Sequence, residues 1–264
     1  HIQLYTMKVV LFAGGMGTRI SEESHLKPKP MIEIGGKPIL WHIMKIYASY
    51  GHTEFIVCCG YKGWMIKEYF ANYFVHNTDV TVDLADNTVK VHNSNAEPFK
   101  ITLIDTGLET MTAGRLKRVL PYTQGETFML TYGDGVSDVD INSLIQYHHQ
   151  HGKVCTMTVI QPGSRFGVVR MDEEGTVTQF EEKPEDSGTW INGGFFVIKP
   201  DIAQYLEHSD IDDIMWERQP MYAMAQDRQI AAYRHRGFWK CMDTLRDKEE
   251  LEKMWQQNPQ WKTW

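Results

Sequence analysis

Lys8 to Ala13 (KVVLFA) is a short apolar, β-branched run stopped by Gly14-Gly15, the pattern of a buried strand that enters a tight turn. Pro28, Pro30 and Pro38 keep the following stretch free of helix. From 39 to 50, ILWHIMKIYASY puts Leu40, Ile43, Met44 and Tyr47 on one helical face, and Gly51 closes the segment. EFIVCC, running into Gly60, repeats the strand pattern, and WMIKEYFANYFV at 64–75 reads as a second amphipathic helix. The order is β-α-β-α.

Residues 79–105 depart from that winding. VTVDLA, TVKVH and ITLID alternate with turn residues between them, which predicts an inserted hairpin or a sheet extension. The winding resumes with a helix over 112–119, a strand over 127–132 ending at Gly133-Asp134-Gly135, and a helix over 140–151. Beyond these, VCTMTVI, FGVVRM, TVTQFEE and INGGFFVI are strands separated by Gly-bearing turns, expected as antiparallel additions beside the main sheet. Thr244, with Asp247 three residues on, marks the start of a final helix. Trp255, Trp261 and Trp264 behind it are expected to dock, because exposing that much apolar area is costly. The expectation is one α/β domain over 1–264, with a mostly parallel sheet covered by helices on both faces and extra antiparallel strands. HIQLYT, ahead of Met7, is read as a cloning remnant or an extension.

Composition narrows the function. The chain has 264 residues, 42% of them hydrophobic, enough for a full core. Its 27 Lys+Arg against 34 Asp+Glu give a net charge of -7, which argues against a general affinity for nucleic acid or anionic membrane. Anionic ligands are therefore bound locally. No apolar run approaches the roughly 20 residues of a membrane span, and no charged-then-apolar leader is seen, so a cytoplasmic protein is expected. Cys58, Cys59, Cys155 and Cys241 show no C-x-x-C spacing and read as reduced thiols of core strands. His148, His149 and His151 stand at the polar end of a helix before Gly152, where a solvated cluster is expected rather than a metal site.

Chemistry concentrates in LFAGGMGTR, residues 11–19. Gly14, Gly15 and Gly17 let backbone N–H groups approach an anion, at the carboxyl end of a strand where open α/β sheets bind ligands. A dinucleotide fingerprint would need a third glycine or alanine where Ile20 stands, and no helix is expected to follow at once. A P-loop would need G-K-[ST], which is absent. A tight turn without a ligand stays open on the glycines alone. Arg19 and KPKPM at 27–31 weigh against it, because prolines on both sides of Lys29 hold an ammonium in one place. Asp134 follows an apolar strand, and Asp243 lies between GFWKCM and Thr244. Each alone is equally a turn-former or a helix N-terminal charge. Lys183 in EEKP is alone a solvated lysine, and Asn192-Gly193 in INGGFF fits a close ligand approach or a β-bulge.

G-G-x-G-T-R followed by a proline-flanked lysine resembles the sugar nucleotidylyltransferases. PKPMIEIGGKPILWHIMKIYASYG, CCGYKG, EYFANYF, DTG, GRLKR, TYGDG, FGVV, EEKP, INGGFFV and GFWKCMDTLRDK look, in the same order, like their glucose 1-phosphate- and CTP-using subgroup, from Met7 to Trp264. The resemblance implies a Rossmann-like sheet of the nucleotide-diphospho-sugar transferase type. It implies transfer of the cytidylyl group of CTP to glucose 1-phosphate, with Mg2+ held by Asp134 and Asp243. Arg19, Lys29, Asp134 and Asp243 are the implied catalytic set. Nucleotide-binding positions by resemblance are Leu11, Ala13, Gly14, Gly15, Gly17, Thr18, Arg19, Lys29, Thr110, Arg115 and Gly133. Glu182, Lys183, Asn192 and Gly193 are implied to take the sugar phosphate, and a homo-oligomer, a hexamer, is implied as well. A uridylyl- or thymidylyltransferase is the alternative within the class. A silent nucleotide-binding regulatory subunit and a nicotinamide dehydrogenase are the readings outside it, the last disfavoured by Ile20.

Overall fold

The structure, a computed structural model, describes residues 5–93, 96–162, 168–181 and 188–264. Among these, eight strands form the central sheet: β1 (Lys8–Ala13), β2 (Glu54–Cys59), β3 (Lys100–Asp105), β4 (Phe128–Tyr132), β5 (Cys155–Ile160), β6 (Ile191–Asn192), β7 (Phe196–Ile198) and β8 (Ile230–Arg234). Their order is β6-β5-β7-β4-β1-β2-β3, with β8 beside β5. β1 runs parallel to β2 and β4, β2 to β3, and β5 to β8, while β6 and β7 run against them. The expected mixed, mostly parallel sheet is therefore present.

β1 shows why the sheet is a central layer. Val9, Leu11 and Ala13 enter one buried cluster with Leu40, Ile43, Met44 and Tyr47 of the helix Ile39–Ser49. Val10 and Phe12, on the opposite face, enter a second cluster with Ala113, Leu116 and Val119 of the helix Thr112–Val119. Successive side chains of a strand point to opposite faces, so an uninterrupted apolar run is what a doubly covered strand requires.

Several expectations need correction. Cys155–Ile160 is a full member of the sheet running in the direction of β1, not an antiparallel addition, because the antiparallel β7 lies between it and β4 and restores the direction. Both alternatives for 79–105 are met rather than corrected: ITLID extends the sheet as the parallel edge strand β3, and among the described residues Asp79–Asp83 and Thr88–Asn93 form a separate hairpin. The helix expected over 64–75 is two, Gly63–Ala71 and Tyr73–Asn77. A helical segment does follow the glycine loop: a 3-10 turn, Thr18–Ile20, and a single turn, Ser21–Ser24. INGGFFVI is interrupted, since Asn192 faces Val159 but Val197 faces Thr156, and the two-residue register jump is absorbed at Gly193-Gly194-Phe195. Gly194 (φ 75°) and Phe195 (φ 43°) both adopt left-handed backbone there, so the β-bulge is real.

The histidine cluster is not solvated. His148 is fully buried, and both its Nδ1 and His151 Nε2 lie within hydrogen-bond distance of Thr156 Oγ1, at 2.7 and 2.6 Å. Burial first, then neighbouring cationic groups, push His148 down to about 3, so it is neutral. His149 alone is exposed. Cys58, Cys59 and Cys155 are buried free thiols as expected, and burial raises all three, Cys59 to about 11.

The C-terminal tryptophans dock against the helix Ile39–Ser49. Trp261 Nε1 donates to His42 Nδ1 (3.2 Å), which leaves His42 Nε2 to donate to the Ile34 carbonyl (2.6 Å). Trp255 packs edge-on and Trp264 at a tilt against the same ring. No helix of the described residues is long and apolar enough to cross a membrane.

Candidate functional site

β1 and β4 are parallel neighbours, so the loops that leave their carboxyl ends lie side by side. One is the glycine loop and the other is Gly133-Asp134, whose Gly133 N donates to Phe12 O at 2.9 Å. Between them and the start of the helix Thr112–Val119 lies a cavity of about 300 Å³. Ala13, Gly14, Gly15, Gly17, Lys29, Thr110, Arg115, Gly133 and Asp134 line it, together with Phe12, Met111, Thr112, Tyr132 and Met215. Most of the residues implied to bind the nucleotide thus meet in one place. Leu11 does not. It is 0% exposed in the core, on the same face as Ala13 but two residues short of the carboxyl end of β1, where Phe12 and Ala13 reach the cavity. Thr18 and Arg19 are exposed and do not line the wall.

Lys29 is the electrostatic centre. Its Nζ donates to Asp134 Oδ2 and to Asp243 Oδ1, both at 2.8 Å. The expected prolines do hold it, since Pro28 starts and Pro30 sits within a 3-10 turn, Lys29–Met31. Gly17, at φ 63°, is the point where the loop passes this side chain, and a Cβ there would lie 3.1 Å from Lys29 Cβ. Burial alone would depress the ammonium, but the two carboxylates outweigh it and hold Lys29 above the ordinary lysine value. The group is cationic at any physiological pH.

Asp243 is placed by the helix behind it, Leu245–Gln257. Thr244 Oγ1 accepts from Asp247 N (3.2 Å), and Asp247 Oδ2 accepts from the backbone N–H of both Thr244 (3.0 Å) and Asp243 (2.9 Å). The predicted capping box therefore also fixes a site residue. From the other side, Trp239–Cys241 pairs with Gly135–Ser137, and Met242 N donates to Asp134 O at 2.8 Å. Ligand atoms of Asp134, Asp243 and Cys241 lie within 4.8 Å of one another. Two carboxylates that close need a cation, and the single charge of Lys29 leaves a net negative charge for another. Hard carboxylate oxygens beside an open cavity fit Mg2+, which retains waters and takes phosphate oxygens as its remaining ligands. The thiol of Cys241, raised by burial and by the two aspartates, is a poor ligand for that ion.

Arg115 is 4% exposed and reaches the cavity wall from the core side. Its Nη1 donates to Thr106 Oγ1 and Gly107 O (both 2.9 Å) and more weakly to Cys59 O (3.4 Å). Nη2 donates to Gly14 O and Leu108 O, each at 3.3 Å. The guanidinium ties the glycine loop, the end of β2 and residues 106–108 together. A Cβ on Gly14 would lie 2.1 Å from Nη1, so only glycine allows this approach.

On the far side of Tyr132, Asn192 Nδ2 donates to its hydroxyl (3.0 Å), and Gly194 N donates to Asn192 Oδ1 (2.9 Å). Gly193 O accepts from Trp239 Nε1 at 2.8 Å. Glu182 and Lys183 lie outside the described residues. Sequence reasoning missed Tyr132, Thr112, Met215 and Glu217. Tyr132 alone carried a signal, as the aromatic residue directly before Gly133-Asp134.

Comparison with known proteins agrees with this geometry. Residues 8–247 match the family model of the nucleotidyl transferases. Glucose-1-phosphate cytidylyltransferases of Salmonella typhi and Salmonella typhimurium are each 52% identical over 260 residues, covering 98% of this chain and 100% of theirs. In three dimensions the chain resembles UDP-glucose pyrophosphorylase from Acinetobacter baumannii, with a TM-score of 0.67 at 17% identity, covering 98% of this chain and 96% of that one. That structural likeness shows the fold, whereas the near-complete sequence match reaches the glycine loop, Lys29 and both aspartates. The chain belongs to the nucleotidyl transferase family, on its glucose-1-phosphate cytidylyltransferase branch.

Proposed function

We propose that the protein transfers the cytidylyl group of CTP to α-D-glucose 1-phosphate, forming CDP-glucose and pyrophosphate. The observation that carries this is the convergence of Lys29, Asp134 and Asp243 beside the glycine-lined cavity, in a chain half identical to two glucose-1-phosphate cytidylyltransferases. A phosphate oxygen of the sugar phosphate attacks the α-phosphorus. A P–O bond forms as the bond to the leaving pyrophosphate breaks. The attacking oxygen is already anionic at neutral pH, so no general base is needed, and catalysis rests on positioning and charge stabilisation.

In this reading Gly14, Gly15 and Gly17 present backbone N–H groups to the triphosphate. Lys29 supplies a fixed positive charge against the phosphates, and Arg19 adds a second from the exposed rim. Arg115 acts by shaping the loop, with Thr110 and Gly133 completing the nucleotide wall. Asp134 and Asp243 would hold Mg2+, which supplies Lewis-acid stabilisation of phosphate charge. Asn192 and Gly193, with Glu182 and Lys183, take the sugar phosphate. We also assign the protein to the cytoplasm, as one domain in a homo-oligomer; light scattering tests the hexamer.

Pyrophosphate release measured with CTP, UTP and dTTP against glucose 1-phosphate, with and without Mg2+, tests the reading. Fastest release with CTP, lost on chelation, is expected. Equal or faster release with UTP or dTTP would replace the cytidylyl assignment, and no release with any nucleotide would end it.

A further inference from the structure

Glu217 lies in neither the glycine loop nor the metal pair, yet its carboxylate joins two walls of the cavity. Tyr132 Oη donates to Glu217 Oε1 at 2.7 Å, and Thr112 Oγ1 donates to Glu217 Oε2 at 2.9 Å. Tyr132 and Thr112 both line the cavity, from the end of β4 and from the first residue of the helix that carries Arg115. The segment before Glu217 is bound to the start of that helix at three further points. Met111 N donates to Asp212 O (2.8 Å), Ala113 N to Ile214 O (3.0 Å), and Trp216 N to Thr112 Oγ1 (2.7 Å). The N-terminal donors of the helix at these positions are thus committed to protein partners.

The direction of the protons follows from the donor inventory. A carboxylate only accepts, so both hydroxyl hydrogens point at Glu217. At 2.7 Å from an oxygen that can only accept, the Tyr132 hydroxyl is the donor of that pair. The Tyr132 oxygen then has lone pairs for another donor, and Asn192 Nδ2 fills that position at 3.0 Å. The Asn192 amide is fixed as a result: its NH2 group faces Tyr132, and its Oδ1 accepts from Gly194 N at the bulge. Among the described residues Tyr132 is the acceptor that the Asn192 NH2 group meets, and its second amide hydrogen is assigned to the ligand.

We propose that Glu217 is a positioning residue for the sugar phosphate. By fixing the Tyr132 hydroxyl as a donor toward itself, it orients the Asn192 amide toward the acceptor substrate. This rests on the assignment of Asn192 to the sugar side of a nucleotidyl transfer. Replacing the carboxylate by an amide leaves one acceptor oxygen for two hydroxyl donors, Tyr132 and Thr112, and an N–H in place of the other oxygen; with that N–H on the Tyr132 side the relay is broken. The Tyr132 hydroxyl then turns toward Asn192 Nδ2, two donors face each other, and the amide loses its fixed orientation.

The test is steady-state pyrophosphate release by wild type, Glu217→Gln, Tyr132→Phe and the double variant, with each substrate varied in turn. Glu217→Gln is expected to raise KM for glucose 1-phosphate by about tenfold, the size of one lost hydrogen bond. KM for CTP should change less than threefold. Because Glu217 acts through Tyr132, the double variant should be no worse than the poorer single variant. An unchanged sugar-phosphate KM in Glu217→Gln, a rise confined to the CTP KM, or additive effects in the double variant would each overturn the proposal. If Glu217→Gln fails to fold, Tyr132→Phe alone decides: it must raise the sugar-phosphate KM and spare that for CTP. Wild type without turnover would instead defeat the assigned activity.

Discussion

The ammonium of Lys29 lies 2.8 Å from a carboxylate oxygen of Asp243, although the two residues are 214 positions apart. Two devices bring them together: a proline-flanked turn at one end and a capping box at the other. Lys29→Ala removes the fixed charge and leaves Asp134 and Asp243 facing each other unpaired. A loss of about 10² to 10³ in kcat is expected, the usual cost of one well-aimed electrostatic donor. Lys29→Met keeps the stem and should lose as much. Near-normal turnover by either variant would contradict the role.

That pair also has a defined pH behaviour. The carboxylates raise Lys29 above its unfolded value, so its stabilising contribution is complete below about pH 10 and is lost only as pH rises through the folded value. Chemical denaturation should show no difference in pH slope between wild type and Lys29→Met from pH 6 to 9. A divergence inside that window would show the ammonium titrating there.

His42 runs the other way. Burial pushes it down to about 4, against 6.5 for the free side chain. Between those values the unfolded chain binds a proton that the folded chain refuses, so stability falls as pH drops from about 6.5 to about 4. The total is on the order of 3 kcal/mol. Urea denaturation at pH 7, 5.5 and 4.5 should show a steeper loss in wild type than in His42→Gln. Equal slopes would contradict the neutral His42 between Trp261 and Ile34.

Arg115→Ala should lower both stability and nucleotide affinity. It removes one donor each from the carbonyls of Gly14, Gly107 and Leu108, of which Gly14 keeps the Tyr61 N–H. A loss of about 3 kcal/mol in unfolding free energy is expected, with a raised KM for CTP. Gly14→Ala should reproduce the KM effect, because its methyl group occupies the place of Nη1. By contrast His149→Ala, on an exposed side chain, should change neither stability beyond about 0.5 kcal/mol nor turnover. A KM for CTP unaffected by Gly14→Ala would remove the shaping role of Arg115.

What could be read in the sequence was what local pattern encodes. The glycine loop after β1, the prolines around Lys29 and the Thr244–Asp247 cap are each written within a few residues, and each stands where expected. Partners in space are not written locally. FIVCC and CTMTVI look alike as strands, and nothing in either states that β7 would lie beside β5 and turn it into a parallel member. IAAYR, with one polar and one charged residue among five, carries no strong strand signal, and β8 forms because β5 offers it an edge. His148 looked like its exposed neighbour His149, since a helix end shows which residues are polar but not which one faces the sheet. Leu11 and Ala13 share a face of β1, and only the folded sheet shows that the cavity is reached at its carboxyl end, by Phe12 and Ala13. Glu217 was invisible for the same reason: its partners Tyr132 and Thr112 are 85 and 105 positions away.

The convergence of Asp134 and Asp243 on one cation is tested most directly by the Mg2+ dependence of pyrophosphate release in Asp243→Asn. A kcat at least about 10²-fold lower is expected. The Mg2+ requirement should shift to higher concentration, with thermal unfolding unchanged. Wild-type turnover at the same Mg2+ concentration would contradict the convergence.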